Sequence, residues 1–245
     1  MKTALITGAN KGIGFEIAKQ LAVIGYRVFM GSRNPEAGSQ AIKKLQDAGV
    51  DNVEAVQLDV TDINSIAAAR KTIGERTSTL DVLINNAGIS GGFQQSALET
   101  TVEKYHEVYA TNVLGVVSVT QAFISLLKNA PEPRIVNVST SMASLTLAAD
   151  FSDSAYSARF VVYQSSKTAL NMYTVNLAYE LRNTAFKVNA VCPGWTQTDF
   201  TGHQGTSTVD QAAQRIIKYV MIGNDGPTGK FFSDEYFAGP AGCPW

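Results

Sequence analysis

Close to its start the chain reads Thr3-Ala4-Leu5-Ile6-Thr7-Gly8-Ala9-Asn10-Lys11-Gly12-Ile13-Gly14. The first five residues form a short apolar stretch that is typical of a buried strand. A glycine-rich turn follows, and a helix is then indicated by apolar residues at three- and four-residue spacing, namely Ile13, Ile17, Leu21 and Ile24. In this setting glycines let the backbone approach a pyrophosphate, which the free N–H groups of the helix N-terminus bind. The spacing Gly8-x-x-x-Gly12-x-Gly14 differs from the common G-x-G-x-x-G, yet its place after the first strand favours a dinucleotide.

Strands and helices alternate along the rest of the chain. Further strands are predicted at residues 26–30, 53–58, 80–84, 134–138 and 186–191, and helices at 35–49, 62–77, 102–128 and from 162 onward. Several of the strands are continuous apolar runs, as in parallel sheets that are covered on both faces. No linker or repeat interrupts the alternation, so we expect one α/β domain spanning residues 1–245. Two long irregular stretches, residues 139–159 and 196–207, follow strands and are expected to be binding loops.

The composition limits the class of protein. Of 245 residues, 20 are basic and 21 acidic, and this net charge of −1 gives no reason to expect nucleic acid or a membrane surface as a partner. The hydrophobic content of 45% supports a sizeable core. Two cysteines fit a reducing compartment, and no metal-ligand spacing is formed by Cys192, Cys243, His106 and His203. The sequence has no signal-peptide pattern and no apolar run of about 18 residues, so we expect a cytoplasmic protein without a bound metal.

A tyrosine and a lysine share one face of the helix that begins near Val162. Tyr163 and Lys167 are four residues apart, which places one above the other. An ammonium beside a phenol favours the phenolate, so we expect Lys167 to lower the pKa of Tyr163 toward neutrality. Such a phenol can exchange a proton with a substrate oxygen near neutral pH. The alternative is a partly buried tyrosine and a solvated lysine that share a face by chance.

The end of the second strand helps to choose between cofactors. In the usual NAD site an acidic residue at this position binds the ribose hydroxyls. Here the strand ends Gly31-Ser32-Arg33, and the guanidinium of Arg33 could hold a 2′-phosphate instead. Lys11 lies at a helix N-terminus, where the helix dipole disfavours a cation unless a phosphate is bound nearby. Together Lys11 and Arg33 favour NADP over NAD.

Seven motifs follow one another along nearly the whole chain. They are Thr7-Gly8-Ala9-Asn10-Lys11-Gly12-Ile13-Gly14, Asp59-Val60, Asn85-Asn86-Ala87-Gly88, Asn112, Ile135-Val136-Asn137-Val138-Ser139, Tyr163-x-x-x-Lys167 and Pro193-Gly194. In this order they resemble the motifs of the short-chain dehydrogenase/reductase family, and within it those of the NADPH-dependent carbonyl reductases. The resemblance implies a Rossmann-type, doubly wound α/β fold with a mostly seven-stranded parallel sheet and helices on both faces. It also implies an NADP-dependent oxidoreductase that acts on CH–OH and C=O groups.

The resemblance implies roles for individual residues as well. Tyr163 would protonate the carbonyl oxygen of the substrate, while Lys167 would hold the nicotinamide ribose and lower the tyrosine pKa. Asn112 would fix a water in a proton relay that leads to Lys167. The residues expected to contact the cofactor are Gly8, Asn10, Lys11, Gly12, Ile13, Gly14, Ser32, Arg33, Asp59, Val60, Asn86, Ala87, Gly88, Tyr163, Lys167, Pro193, Gly194, Thr196 and Thr198.

The chain departs from the family pattern after the fifth strand, where a serine usually binds the substrate. Thr140 stands at that position, and Ser141 is the alternative if the backbone shifts by one residue. Thr140 lies 23 residues before Tyr163, farther than is usual in the family, and the extra length falls in residues 150–159. In the resembled carbonyl reductases an insertion here can cover the surface used for tetramer packing. We therefore leave open a dimer, a tetramer or a monomer.

Apolar and aromatic side chains dominate the expected substrate pocket. They are Phe93, Met142, Leu145, Leu147, Trp195 and Phe200, with Phe93, Met142 and Trp195 as the leading candidates. The nearest cation, Arg159, is expected at the surface, so nothing in the pocket would bind a carboxylate or a phosphate. We expect a small, uncharged and hydrophobic carbonyl compound as substrate: a ketone, an aldehyde, a keto ester or a quinone. The alternatives are NAD(P)-dependent alcohol oxidation and a non-catalytic NADP sensor, which would be expected to lose Tyr163 or Lys167.

Overall fold

A computed structural model describes residues 1–92, 94–152, 159–239 and 242–245, and these residues form a seven-stranded sheet in which every strand pair is parallel. The strand order is β3-β2-β1-β4-β5-β6-β7. The strands are β1 (Thr3–Ile6), β2 (Arg27–Ser32), β3 (Val53–Gln57), β4 (Val82–Asn85), β5 (Arg134–Val138), β6 (Lys187–Val191) and β7 (Phe231–Phe232). The helices are α1 (Gly12–Val23), α2 (Pro35–Asp47), α3 (Ile63–Arg76), α4 (Val102–Tyr109), α5 (Gly115–Lys128), α6 (Leu145–Ala149), α7 (Val161–Glu180) and α8 (Val209–Val220).

The point that decides where a ligand can bind lies between β1 and β4. Leu5 of β1 pairs with Phe29 of β2 on one side and with Leu83 of β4 on the other, so the strand order reverses at β1. In open parallel sheets a crevice forms at the carboxyl ends of the strands on either side of such a reversal. The predicted site residues follow those ends: Gly8 after β1, Arg33 after β2, Asp59 after β3, Asn86 after β4, Thr140 after β5 and Pro193 after β6.

Side chains that alternate along the strands divide the core into two layers. Ala4 and Ile6 face the layer that contains α1, α2 and α8, whereas Leu5 faces the layer of α3, α5 and α7. Strands with apolar residues on both faces must be covered on both faces, which explains the continuous apolar runs in the sequence. Leu5 is fully buried, so Leu5→Ala is expected to cost about 2–5 kcal/mol of folding stability.

The predicted doubly wound α/β fold with a parallel sheet is confirmed, and the six strands located in the sequence begin and end within two residues of the observed ones. The seventh strand, β7, has only two residues, which is too short for a periodic signal. The predicted helix 102–128 is continuous but contains a π-helical segment at Ala110–Leu114. The irregular stretch after β5 contains a 3₁₀ turn at Ser141–Ala143 and the short helix α6.

The run Val102–Lys128 is the one helix, in the described part of the chain, that is long and apolar enough to cross a membrane. Its side chains Val119, Phe123 and Leu127 are fully buried against the sheet. It therefore serves as a core helix of this fold.

Candidate active site

The glycine turn after β1 fits tightly against the loop after β4. Gly8 and Gly12 have φ of +63° and +57°, a backbone region that favours glycine. A Cβ on Gly14 would lie 2.5 Å from Asn86 Nδ2 and 2.6 Å from the Gly8 carbonyl oxygen, so a side chain there would force the two loops apart. The three predicted glycines are thus required by the local geometry, independently of any ligand.

Hydrogen bonds join these two loops where the strand order reverses. The hydroxyl oxygen of Thr7 accepts from the N–H groups of Asn86 and Ala87, both at 3.0 Å. In return the Asn86 amide donates to the carbonyl oxygens of Thr7 and Gly8 at 2.9 and 3.1 Å. The predicted residues Gly8, Asn86 and Ala87 therefore form one rigid floor at the carboxyl ends of β1 and β4.

The N-terminus of α1 lacks a side-chain cap such as those of α2 and α8. Asn34 and Thr208 cap α2 and α8 through their side-chain oxygens, whereas Lys11, the N-cap of α1, makes no such bond to the described residues, and the first turn of α1 holds no acidic residue. The first N–H groups of a helix have no partner within it, so these donors are left for another acceptor. An anion such as a phosphate is the ligand that this end of a helix favours.

Lys11 itself reaches across to the 196–207 loop. Its Nζ lies 2.8 Å from Oδ2 of Asp199, and Nε2 of His203 lies 3.1 Å from the other carboxylate oxygen. Lys11, followed by His203, lowers the pKa of Asp199. The sequence predicts Lys11 as a phosphate ligand, but here it joins the glycine turn to this loop.

Arg33 and Asp59 lie beside the adenosine end of the predicted cofactor site. Ser32 is buried, while Arg33 is exposed and forms no ion pair within the described ranges. Hydrogen bonds from the N–H and hydroxyl of Thr61 lower the pKa of Asp59, and the charge of Arg33 adds a smaller effect. The buried Val60 packs against Gly115, where a Cβ would lie only 2.9 Å from its side chain. Arg33 is thus an unpaired cation, as a 2′-phosphate ligand requires.

Two of the predicted residues, Asn112 and Lys167, converge on a third, Gly88. A Cβ on Gly88 would lie 3.3 Å from Asn112 Oδ1 and 3.5 Å from Lys167 Nζ. Lys167 is 4% exposed, and its Nζ donates to the Val138 carbonyl oxygen at 2.8 Å. The buried Asn112 lies in the π-helical segment, a type of irregularity that often occurs at functional sites.

The side chain of Asn112 is largely occupied by structural contacts. Its Oδ1 accepts from the Ile89 N–H at 2.9 Å, and its Nδ2 donates to the Ile89 carbonyl at 2.9 Å and to Ser166 Oγ at 3.0 Å. The hydroxyl of Ser166 in turn donates a hydrogen bond to the carbonyl oxygen of Tyr163 at 2.7 Å. Both amide hydrogens of Asn112 are therefore engaged, and any water bound by this residue must donate to one of its oxygens.

The expectation that Lys167 lowers the pKa of Tyr163 is wrong. Burial raises the pKa of Tyr163 well above its usual value, and the neighbouring Cys192 adds to this. Burial likewise lowers the pKa of Lys167 to about 8. Removing both groups from water disfavours both charged forms, and this effect exceeds the attraction that the i, i+4 spacing predicts. Tyr163 is therefore a protonated phenol at neutral pH.

The hydroxyl residues after β5 occupy different environments. Ser139 is buried and donates to Asn171 Oδ1 at 2.7 Å. The Thr140 hydroxyl accepts from the Met142 N–H at 3.3 Å, which caps the 3₁₀ turn and leaves its own hydrogen free to be donated. Ser141 is 4% exposed, whereas Thr140 is only half-buried. Thr140 is thus the more accessible hydroxyl of the predicted pair.

An ion pair that the sequence analysis missed fixes the segment after β6. Gly194 has φ of +90°, a backbone region that favours glycine, and a Cβ there would displace the side-chain ends of Glu235 and Arg215. Glu235 Oε2 accepts from the Trp195 N–H at 2.8 Å, and Arg215 donates to the Pro193 carbonyl at 2.7 Å. A signal was present, since Arg215 lies at the edge of the apolar stripe of α8, where a charge needs a partner.

Glu235 and Arg215 also hold the far end of the 196–207 loop. Glu235 accepts from the hydroxyls of Thr206 and Ser207, and Ser207 in turn accepts from Arg215 at 2.8 Å. Within the loop, the buried Thr196 pairs with Ser207, and the methyl group of Thr198 approaches Gly12, where a Cβ would lie 3.7 Å from it. The loop that carries Thr196 and Thr198 is therefore anchored at both ends and lies over the glycine turn.

The predicted substrate residues separate into several groups. Phe93 lies outside the described residues. The ring of Phe200 is tilted against that of Tyr163, and Trp195 is 48% exposed in the segment that precedes the 196–207 loop. Leu147 instead packs on the buried cluster that contains Cys192 and Phe231. Only part of the predicted pocket therefore faces the tyrosine.

Met142, Leu145 and Arg159 line a cavity of about 580 Å³ beside the first turns of α7. Gln164 and Thr168 line the same cavity from α7. Met142 and Leu145 thus lie next to the helix that bears Tyr163, and their contact with a substrate stays a prediction.

The residues at the reversal point fit a dinucleotide. The glycines of the turn have no Cβ that would keep a pyrophosphate from the backbone. The N-terminus of α1 has no side-chain cap, and Arg33 is an unpaired cation. A metal is not needed to complete the set, and within the described ranges no three His, Cys, Asp or Glu side chains cluster in a way that could bind one.

Comparison with known proteins agrees with this geometry. The model of the short chain dehydrogenase family matches residues 2–208. The (-)-isopiperitenone reductase of Mentha piperita is 34% identical, over 94% of this chain and 95% of the relative. An NADPH-bound carbonyl reductase from chicken fatty liver has a TM-score of 0.85 at 30% identity, over 100% of this chain and 99% of the other. Salutaridine reductase from Papaver somniferum has a TM-score of 0.83 at 31% identity, over 94% and 99%.

The family match covers most of the chain, and the relatives are similar over almost their whole length. The chicken enzyme was solved with NADPH, in agreement with the NADP cofactor predicted from Lys11 and Arg33. The chain belongs to the short-chain dehydrogenase family and is an oxidoreductase that acts on C=O and CH–OH groups.

Proposed function

We propose that the protein uses NADPH to reduce the carbonyl group of a small, uncharged and hydrophobic compound to the alcohol. The observation that carries this proposal is the convergence of Asn112, Lys167 and Gly88 beside the helix that bears Tyr163, at the carboxyl ends of β4 and β5. Carbonyl reduction needs a proton donor at the oxygen, and the raised pKa of Tyr163 keeps its hydroxyl protonated at neutral pH.

Bound NADPH would supply the hydride that adds to the carbonyl carbon. Tyr163 donates its proton to the carbonyl oxygen, which completes the alcohol and leaves a phenolate. Lys167, with a pKa of about 8, is mostly protonated at neutral pH and stabilises this negative charge. A water held by an oxygen of Asn112 would return a proton toward Lys167, since the amide hydrogens of Asn112 are already engaged.

Thr140 is the hydroxyl that we assign to the substrate oxygen. It is more accessible than Ser141, and its hydrogen is free because its oxygen accepts from Met142. A hydrogen bond to the carbonyl oxygen strengthens as negative charge develops there, so Thr140 would assist Tyr163 in the transition state.

The cofactor would lie across the reversal point between β1 and β4. The N-terminus of α1 and its glycines would hold the pyrophosphate, and Arg33 would hold the 2′-phosphate. The remaining predicted contacts would line this crevice: Asn10, Ile13, Ser32, Asp59 and Val60 on the adenosine side, Asn86, Ala87 and Gly88 in the centre, and Pro193, Gly194, Thr196 and Thr198 toward the nicotinamide.

An uncharged substrate is supported by the side chains nearest the tyrosine. Phe200 covers Tyr163, and Trp195 lies in the neighbouring segment. The charges of Arg215 and Glu235 neutralise each other. Two relatives are named as reductases of isopiperitenone and of salutaridine, and the chicken protein is named a carbonyl reductase, which supports a reduction and, for the last, a carbonyl substrate.

A screen of carbonyl compounds tests this proposal, with the loss of NADPH absorbance as the readout. The panel contains uncharged ketones, aldehydes, keto esters and quinones, with keto acids of similar size as matched controls. We expect turnover of uncharged members and little turnover of the acids. Absence of turnover with every member, together with tight NADPH binding, would instead favour the sensor, and turnover only of alcohols with NADP would favour oxidation.

The proposal also covers the number of domains, the cellular compartment and the oligomeric state, which is left open. We propose a single cytoplasmic domain over residues 1–245, in which both cysteines are free and buried as a reducing compartment allows. Light scattering of the purified protein distinguishes a dimer or tetramer from a monomer.

A further inference from the structure

The first turn of α7 is held from outside the helix. Tyr163 is only the third residue of α7, and Phe160 at the N-cap provides no side-chain cap among the residues described. Gln95 supplies the missing acceptor: its Oε1 accepts from the N–H of Val162 at 2.9 Å and from the N–H of Tyr163 at 3.2 Å. A residue 68 positions away in the sequence therefore caps the helix at the tyrosine itself.

The other half of the Gln95 amide binds the loop that follows β4. Its Nε2 donates to the carbonyl oxygens of Ser90 at 2.6 Å and Gly92 at 2.7 Å. The Gln95 side chain therefore makes four hydrogen bonds, two through Oε1 to α7 and two through Nε2 to the loop after β4. The loop continues directly from Gly88 and Ile89, and Ile89 is held by the side chain of Asn112.

Hydrogen bonds from other residues hold both the N–H group and the carbonyl oxygen of Tyr163. Gln95 binds the N–H of Tyr163, while Ser166, itself bound by Asn112, donates to its carbonyl oxygen. First turns of helices fray when their N–H groups lack partners, so a tyrosine in that turn needs such support to keep a fixed position.

We propose that Gln95 is a positioning residue, which couples the loop after β4 to the first turn of α7 and thereby sets the place of the Tyr163 hydroxyl. The inference rests on the proposed role of Tyr163 as proton donor. Displacing a reacting group by about 1 Å can cost on the order of 100-fold in rate. The glycine turn and Arg33 follow β1 and β2, and neither contacts Gln95, so we expect these cofactor contacts to be kept when the link is broken.

The test replaces Gln95 by methionine, which has a similar shape but cannot donate or accept these hydrogen bonds. The matched control is Gln164→Met. Gln164 lies on the same turn of α7 and makes two comparable bonds, to the Phe160 N–H and the Met142 carbonyl, but it touches neither the β4 loop nor the Tyr163 N–H. We expect Gln95→Met to lower kcat by about 10-fold or more with the Kd for NADPH within about twofold, and Gln164→Met to keep kcat within about threefold.

A second measurement keeps the inference testable if Gln95→Met is too unstable to assay. Amide hydrogen exchange of the wild-type protein is expected to show protected N–H groups at Val162 and Tyr163, because Gln95 accepts from both. Equal losses of kcat in Gln95→Met and Gln164→Met, an unchanged kcat in Gln95→Met, or unprotected wild-type amides would each overturn the inference. The exchange result does not depend on turnover, so it separates a failure of this link from a failure of the proposed reaction.

Discussion

Phe200 lies over Tyr163, with the two ring centroids 5.5 Å apart and the ring planes at 55°. The phenylalanine belongs to the 196–207 loop and is itself 40% exposed, so it forms the outer wall of the site. Burial raises the pKa of Tyr163, and the ring of Phe200 is one of the groups packed beside its phenol. A phenol that is protonated at neutral pH can donate its proton to a substrate oxygen.

Arg33 is expected to discriminate between the two cofactors. Arg33→Ala removes an unpaired guanidinium from the end of β2, and a charge-assisted hydrogen bond to a 2′-phosphate contributes about 1.5–3 kcal/mol. We expect the Kd for NADPH to rise by about 10-fold or more and that for NADH to change little, measured by fluorescence titration of both cofactors. Equal losses for NADPH and NADH would contradict this role.

The ion pair between Lys11 and Asp199 is expected to compete with the cofactor. Both side chains are more than half exposed, so the pair adds little stability, but it engages the cation predicted to meet a phosphate. Asp199→Asn should therefore tighten NADPH binding several-fold without changing the melting temperature. Asp51→Asn, which removes an equal charge before β3, serves as the control and should leave binding unchanged. Weaker binding in Asp199→Asn would show that the carboxylate supports the cofactor instead.

Thr140 and Ser141 can be separated by their alanine variants. Removing a donor to a developing oxyanion commonly costs about 100-fold in kcat, so we expect a loss of that order for Thr140→Ala and a near wild-type rate for Ser141→Ala. Thr140→Ser should restore most of the activity because it keeps the hydroxyl. The reverse ranking of the two alanine variants would assign the role to Ser141.

The lowered pKa of Lys167 predicts a pH dependence for the free enzyme. The ammonium is charged below about 8 and neutral above it, and only the charged form stabilises the phenolate and binds the ribose hydroxyls. We expect kcat/KM for NADPH to be constant below this pH and to fall about 10-fold per pH unit above it. A profile that is still flat well above pH 8 would mean that the charge on Lys167 is not needed.

The sequence was sufficient for most of the fold because local patterns carry the information. Apolar runs such as residues 134–138 indicate strands that are buried on both faces, and the glycine turn indicates the connection between the first strand and the first helix. The two-residue β7 and the π-helical segment around Asn112 have no comparable signal. The first is too short for a period, and the second keeps the composition of an ordinary helix.

The site was predictable where function depends on spacing, as with Tyr163 and Lys167. It was not predictable where it depends on burial or on contacts between distant residues. The spacing predicts a lowered tyrosine pKa, whereas burial raises it. Gln95, Arg215 and Glu235 reach the site through the tertiary structure, and no motif links them to it. Met142 and Leu145 line a cavity beside the first turns of α7, and no sequence pattern indicates that cavity.

The central claim is that Tyr163 donates the proton in an NADPH-dependent carbonyl reduction. The most direct measurement compares wild-type protein and Tyr163→Phe for NADPH oxidation in the presence of the best carbonyl substrate, with the Kd for NADPH measured on both. We predict that turnover is lost in the variant while the Kd changes by no more than about threefold, because phenylalanine keeps the ring against Phe200 and lacks only the hydroxyl. Turnover at a rate close to that of the wild type would contradict the account.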